Sequence, residues 1–328
     1  MKKLLYSIIT ITLFIVCSCQ EETLSPKTEF IERYIFTCIV DCDTNYQTAT
    51  LSASYNVDGF DPYSNTLDPA IEGADIRIWY KDTVFVMRDT VTAGDDVSLY
   101  DTPRKFYYVI GLQPERGEIL DVEVVLNDGR KLSSATSTSL LSTFFFGDGD
   151  QTIPAGEGAM TLPSFNVYWT YIGNSAQSLF VPRLFIIYNK IENGTSVQHT
   201  KEVPSDYIQS GDVFNPIFPI GQKSSLVRYQ LSAIDRAMRE ISEGDPNKQN
   251  YVISHAFIQL LVLDENLSAY YGSLQIKSDG FTVKVDAPEY SNIEGGLGIF
   301  GSYSEKEWNI EIMNDYILSF GYRILSEE

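Results

Sequence analysis

The sequence predicts a mainly β protein: an N-terminal Ig-like or fibronectin-like β-sandwich, then a β-rich second domain with one or two short helices. Two observations predict it. Between Tyr34 and Leu141 the chain is written in short runs of β-branched and aromatic residues, with turn residues between them and no helical period. From Ser164 onward strand-like runs continue, and a few helical stretches interrupt them. The expected boundaries are 31–146 for the sandwich, 147–163 for a linker loop and 164–328 for the second domain.

The sandwich runs are "YIFTCIV", "TATLSASYNV", "ADIRIWY", "TVFVMRD", "KFYYVIGL", "LDVEVVL" and "GRKLSSATSTSLL". Seven short strands separated by such turns match the pattern of an Ig-type sandwich. "VVLNDGRKL" reads as a hairpin, with an Asp-Gly turn between alternating arms. Alternation in "ADIRIWY" turns Ile76, Ile78 and Tyr80 to one face, and Arg77 and Trp79 to the other. The stretch "GDGDQTIPAGEGAMTLP", rich in glycine and proline, reads as the interdomain loop. Asp148 and Asp150 could hold calcium there, but the EF-hand frame is missing and a solvated turn is the favoured reading.

In the second domain "FNVYWTYI", "LFVPRLFIIYNK" and "VISHAFIQLLVL" read as strands. The last is apolar on both faces, which places it centrally. Leu231, Ile234, Met238 and Ile241 recur at three- and four-residue steps, predicting a helix near 225–243. Ser224 or Ser225 would cap it, and Gly244 with Pro246 would end it. A second short helix is expected over 264–275, starting at Asp264. "EKEWNIEIMN" and "YILSFGYRIL" read as terminal strands.

The N-terminus carries its own message. Lys2 and Lys3 precede an apolar run from Leu4 to Val16, too short to span a bilayer core of about 30 Å as a helix. This reads as a signal peptide over 1–18. Ser18 directly before Cys19 resembles a bacterial lipobox, in which Cys19 is lipidated and becomes the first residue. Cys17 stands where a small residue is usual. Several acyl chains on one cysteine would anchor the chain stably to a membrane. Residues 19–30 would form a tether, and the acidic "QEETLSP" resembles the surface-export signal of Bacteroidota lipoproteins.

The net charge is −20, and cleavage before Cys19 would take it near −22. Such a surface repels nucleic acid and anionic lipid. Processing would leave Cys38 and Cys42. They are four strand residues apart, roughly 13 Å, whereas a disulfide needs Cα atoms about 4.4–6.8 Å apart. A disulfide there requires a turn or bulge near Asp41.

Catalytic signatures are missing: no G-x-S-x-G, H-E-x-x-H, P-loop or C-x-x-C occurs. His255 reads as a core or strand-flank residue and His199 as a solvated hairpin residue. No metal or cofactor set is expected. Aromatic residues are plentiful, and Trp79, Trp169 and Tyr171 are the candidates for stacking on a glycan or peptide ligand. Gly296, Gly298 and Gly301 spell G-x-G-x-x-G, the spacing of a dinucleotide site. Such a site needs a strand before and a helix after. Here turn residues precede it and strand-like alternation follows, so no nucleotide is expected.

That last stretch, "VDAPEYSNIEGGLGIFGSYSEKEW", resembles the C-terminal signature of a Bacteroidota outer-membrane lipoprotein family catalogued as domain of unknown function 4249. "YYVIGLQPERGEILDVEVVLNDGRKLSSAT" and "LLVLDENLSAYYGSL" resemble it too. The resemblance implies an outer-membrane lipoprotein without assigned activity, often encoded beside a TonB-dependent transporter. It implies a structural role for Asn292, Gly295, Gly296, Gly298, Phe300 and Gly301, with Ile299 and Phe300 as packed anchors. It supplies no catalytic residues. The expected function is therefore a non-catalytic accessory of nutrient capture. An adhesion or envelope-structural lipoprotein, or an undetected hydrolase, remain as alternatives.

Overall fold

A computed structural model describes residues 30–56, 65, 68–92, 104–140, 142–145, 151–155, 162–172, 178–211, 213–242, 244–275 and 290–325. The expected signal peptide over 1–18, Cys19, most of the expected tether, and Asp148 and Asp150 lie outside the described residues.

The N-terminal strands are β1 (Tyr34–Asp41), β2 (Tyr46–Ala53), β3 (Asp75–Tyr80), β4 (Thr83–Val86), β5 (Arg88–Thr92), β6 (Arg104–Ile110), β7 (Ile119–Val125) and β8 (Lys131–Ser137). One sheet runs β4-β3-β7-β8, and it faces the run β1-β2-β6-β5. Alternation explains the packing. Phe36, Cys38 and Val40 on β1 turn inward to meet Ile76 and Ile78 on β3, and Leu120, Val122 and Val124 on β7. Each large side chain so buried contributes about 1.5–3 kcal/mol of transfer free energy. Tyr80 packs against this core as its alternation predicts. The β7–β8 hairpin forms with Gly129 at φ +85° in its turn.

The expected strand "TVFVMRD" is two strands. β4 pairs with β3, while β5 pairs with β6 in the opposite sheet. Met87, between them, is buried and its N–H donates to the Ile76 carbonyl at 2.9 Å. The chain crosses the sandwich there.

The second half adds β9 (Ser142–Phe145), β10 (Thr152–Ile153), β11 (Ser164–Tyr171), β12 (Phe180–Glu192), β13 (Thr195–Val203), β14 (Asp206–Ser210), β15 (Val213–Ile217) and β16 (Leu226–Gln230). Next come helix α1 (Leu231–Glu240), β17 (Tyr251–Leu263), α2 (Glu265–Gln275), β18 (Leu297–Ile312), α3 (Asn314–Ser319) and β19 (Arg323–Ile324). β17 is central, between β12 and β18. A three-stranded sheet, β16-β11-β9, shares a second core with this half of the large sheet, and α1 buries Ala233, Ile234, Ala237 and Met238 there.

Three readings change. Helix α1 starts at Leu231, not near 225, because "LVRYQ" alternates and is taken as a strand by β11, with Val227 and Tyr229 inward. Its N-cap is Gln230, without a side-chain cap bond. "YILSFGYRIL" holds helix α3 and the short β19 instead of one strand, since Gly321 at φ +84° breaks the segment. The expected loop 147–163 contains β10, which pairs with the end of β18 and buries Ile153.

The two cores are not carried by separate sheets. One ten-stranded sheet has the main path β13-β12-β17-β18-β1-β2-β6-β5. Its seam is the parallel pairing of β18 with β1, from Ile35↔Leu297 to Asp41↔Tyr303. From β18, Phe300 faces the first core, and Ile310 with Ile312 the second. Ile299 and Tyr303 face the other way, toward α2.

Candidate functional site: an apolar cleft beside α2

Four glycines set how closely segments approach at the seam. Gly298 sits opposite Phe36 with φ +116°, and a Cβ there would overlap the Phe36 carbonyl oxygen. Gly295, at φ +82°, lies against the Lys131 carbonyl, and a Cβ on Gly296 would sit 2.7 Å from the Tyr34 carbonyl oxygen. On Gly301 it would lie 3.1 Å from Leu267 Cβ, so the missing side chain lets α2 settle on the sheet. Asn292 completes the motif. Its amide oxygen accepts from the Phe300 N–H at 2.9 Å, and its amide nitrogen donates to the Phe300 carbonyl at 2.7 Å. Phe300 is fully buried in the first core and Ile299 is buried beneath α2. After Gly301 the strand continues to Ile312, so no helix N-terminus faces a phosphate.

Asp264 fixes the start of α2. Its Oδ1 accepts from the Leu267 N–H at 2.7 Å, the N-cap bond that satisfies an orphan helix donor. Its Oδ2 accepts from the Ser302 N–H and the Thr136 hydroxyl, each at 2.5 Å. One carboxyl thus ties α2 to β18 and β8. Burial pushes its pKa up to about 6, although these donors pull the other way. Next to it, Asn266 donates to the Ala135 carbonyl and the Thr136 hydroxyl, both at 3.0 Å, and accepts from Tyr290 at 2.7 Å.

Held this way, α2 walls a cleft of about 490 Å³. Ile39, Val181, Leu261 and Tyr303 from four strands of the sheet form its floor; Leu267 and Tyr271 come from α2, and Ile220 with Gly221 from the loop after β15. None of the described lining residues is charged. At the rim the Tyr303 hydroxyl donates to Asp41 at 3.0 Å, and burial raises the pKa of that phenol. Arg116 reaches Asp43 at 2.5 Å and the Glu305 carbonyl at 3.1 Å. Burial raises the Glu305 carboxyl, and its Glu307 neighbour adds to the effect. The cleft can hold an apolar body, with phenols and carboxylates at one edge.

The aromatic candidates lie elsewhere. Trp169 is 1% exposed in the second core, tilted against Phe180 at 5.7 Å, and cannot stack on a ligand. The alternation of β11 turns it inward. Tyr171 is half-buried, edge-on to Phe180 at 5.3 Å. Trp79 is half-buried on β3 in the other half of the protein. Cys38 and Cys42 are both free and buried; Cys38 stays in β1, Cys42 follows the strand's end, and no bulge brings them together. His255 is exposed on β17 with Nδ1 3.0 Å from the Ser254 hydroxyl. His199 is only partly exposed: it stacks on Tyr188 at 5.3 Å, and its Nε2 is buried without a partner. Among the described residues no group of three His, Cys, Asp or Glu side chains is placed to hold a metal ion.

Sequence reading did not find the cleft. Ile39, Val181 and Leu261 look like any alternating strand residues, and they meet only through sheet pairing between distant segments. The available signal was "VISHAFIQLLVL", whose second apolar face needs a cover.

Fold and site define a β-sandwich protein that shares its large sheet with a second β-core and carries a helix-walled apolar cleft on the opposite face. The chain belongs to the family described as Domain of unknown function (DUF4249), whose profile matches residues 37–308. No curated protein matches the chain.

Proposed function

We propose that this is a non-catalytic outer-membrane lipoprotein, anchored through Cys19 and exposed at the cell surface, that captures a nutrient for a TonB-dependent transporter. The observation that carries the reading is the cleft beside α2, where Ile39, Val181 and Leu261 offer an apolar binding surface and Tyr271 and Tyr303 supply the polar side-chain atoms. An apolar cleft with few polar groups is the usual form of a small-molecule site. The lipobox-like "CSC" and the acidic tether support the anchored location. Co-purification from solubilised outer membranes tests the partnership, with protease shaving of intact cells for exposure. The expected results are a recurring transporter and cleavage on whole cells. Failure to recover any transporter, together with normal nutrient uptake in a deletion strain, would sink it.

A second reading is an envelope-structural or adhesion protein. It is favoured by the β14–β15 ribbon, which exposes Ile208, Val213, Phe214 and Ile217. Apolar surface of this kind marks protein contacts. A deletion strain with normal uptake and altered envelope integrity would select this reading.

A further inference from the structure

We propose that the cleft beside α2 binds a hydrophobic small molecule that carries no anionic group. The proposal deepens the nutrient-capture reading and rests on it.

The size comes first. A volume of about 490 Å³ lies within the range of sites that enclose a drug-sized ligand. The chemistry of the walls is second. Ile39, Val181, Leu261, Leu267 and Ile220 have no hydrogen-bonding side-chain atoms, and the two tyrosines supply the polar ones. A sugar would bury hydroxyls without partners on such a floor, which is costly. A hydrocarbon or ring body buries only apolar surface there.

Charge decides the third point. Register places Asp41, Glu202, Glu305 and Glu307 on the same face of the sheet as Val181 and Tyr303. Arg183 is the cation among them, and it is spent: it donates to both oxygens of Glu202, at 2.9 and 2.8 Å. Arg116 is likewise tied to Asp43. A carboxylate or phosphate entering the cleft would meet the acids Asp41 and Glu305, which have no ion-pair partner among the described residues, inside the field of a chain with net charge −20. A neutral ligand meets no such barrier, and a cationic one is drawn toward that rim.

Three probes sharing one ring system test this: benzophenone, its 4-carboxylate and its 4-(trimethylammonio)methyl derivative. Each is photo-crosslinked to the full chain in detergent, and adducts are mapped by peptide mass spectrometry. Neutral and cationic probes should saturate labelling on peptides that contain Val181, Leu261 or Tyr303. The carboxylate should label these at least about tenfold less, equivalent to about 1.4 kcal/mol. Leu261→Trp and Val181→Trp each fill the cleft and should abolish that labelling while circular dichroism stays native. Ile119→Trp, at a position 64% exposed on β7, should leave it intact. Equal labelling by the carboxylate, adducts spread evenly over exposed apolar residues, or persistent cleft labelling in a folded filling variant overturns the proposal. Transporter co-purification is scored separately. Failed labelling with a co-purifying transporter removes only the ligand class; cleft labelling without any transporter or uptake defect removes only the capture reading.

Discussion

Asn292 acts as a one-residue strand for Phe300: its side-chain amide exchanges two hydrogen bonds with the Phe300 backbone, at 2.9 and 2.7 Å. Asn292→Asp keeps the acceptor and loses the donor, leaving the Phe300 carbonyl without its partner. The expected loss is about 1–3 kcal/mol, the cost of an unsatisfied buried polar group. Urea unfolding of the two proteins checks it, and an unchanged midpoint would show that the amide is dispensable.

Glycine substitutions should split by position. Gly298→Ala forces a Cβ onto the Phe36 carbonyl at a φ of +116°, and should cost more than about 2 kcal/mol. Gly272→Ala, within α2 and with open space around it, should instead gain roughly 0.5–1 kcal/mol. Thermal melts of both variants give the comparison. Similar effects at the two sites would mean that close approach is not what Gly298 provides.

Asp264 should leave a pH signature. Its folded pKa, about 6, lies above the ordinary carboxyl value of 3.8. The native state therefore holds a proton that the unfolded chain has released, and this group's contribution falls as pH rises from about 4 to 6, then levels. The slope is at most about 1.4 kcal/mol per pH unit. Asp264→Asn abolishes that component while lowering stability overall, because an amide nitrogen would face either the Leu267 N–H or the Ser302 N–H. The difference between the two stability-versus-pH curves isolates it. A difference that stays flat between pH 4 and 6 contradicts the assignment.

The thiols should be silent in the native protein. Burial pushes both Cys38 and Cys42 up to about 12, which leaves almost no thiolate at pH 8. Iodoacetamide at that pH should spare the peptide containing them until denaturant is added, as read by mass spectrometry. Rapid native labelling would place them at the surface.

Nicotinamide and adenine nucleotides should leave the melting temperature unchanged, because the G-x-G-x-x-G glycines lie in and before a strand that runs on to Ile312. A nucleotide-dependent rise would reinstate a phosphate site.

Local order was legible where one segment decides its own state. The alternation of "ADIRIWY" put Ile76, Ile78 and Tyr80 inside, and the Asp-Gly turn set the β7–β8 hairpin. The alternation after Gly301 was enough to place a strand there, and β18 runs on to Ile312. What stayed illegible depends on partners far along the chain. "LVRYQ" is a strand only because β11 lies beside it, and Trp169 is inside only because β12 and α1 close over β11. The linker reading passed over Ile153 because a two-residue strand has no period to detect; β18 supplies its partner. Asp264 could be read as the start of a helix, but its bonds to Thr136 and Ser302 come from segments 128 and 38 residues away.

The seam between β1 and β18 also has a kinetic meaning. Ile35 finds its partner at Leu297, so β1 gains β18 as its neighbour only once the chain has been made as far as that strand. Until then β1 presents an open edge of backbone donors and acceptors beside Phe36 and Val40. Contacts of such long sequence separation fold slowly, because loop closure comes before the reward. A nascent chain therefore carries that open edge through the whole interval between the two strands, and a chain cut short before Leu297 keeps it.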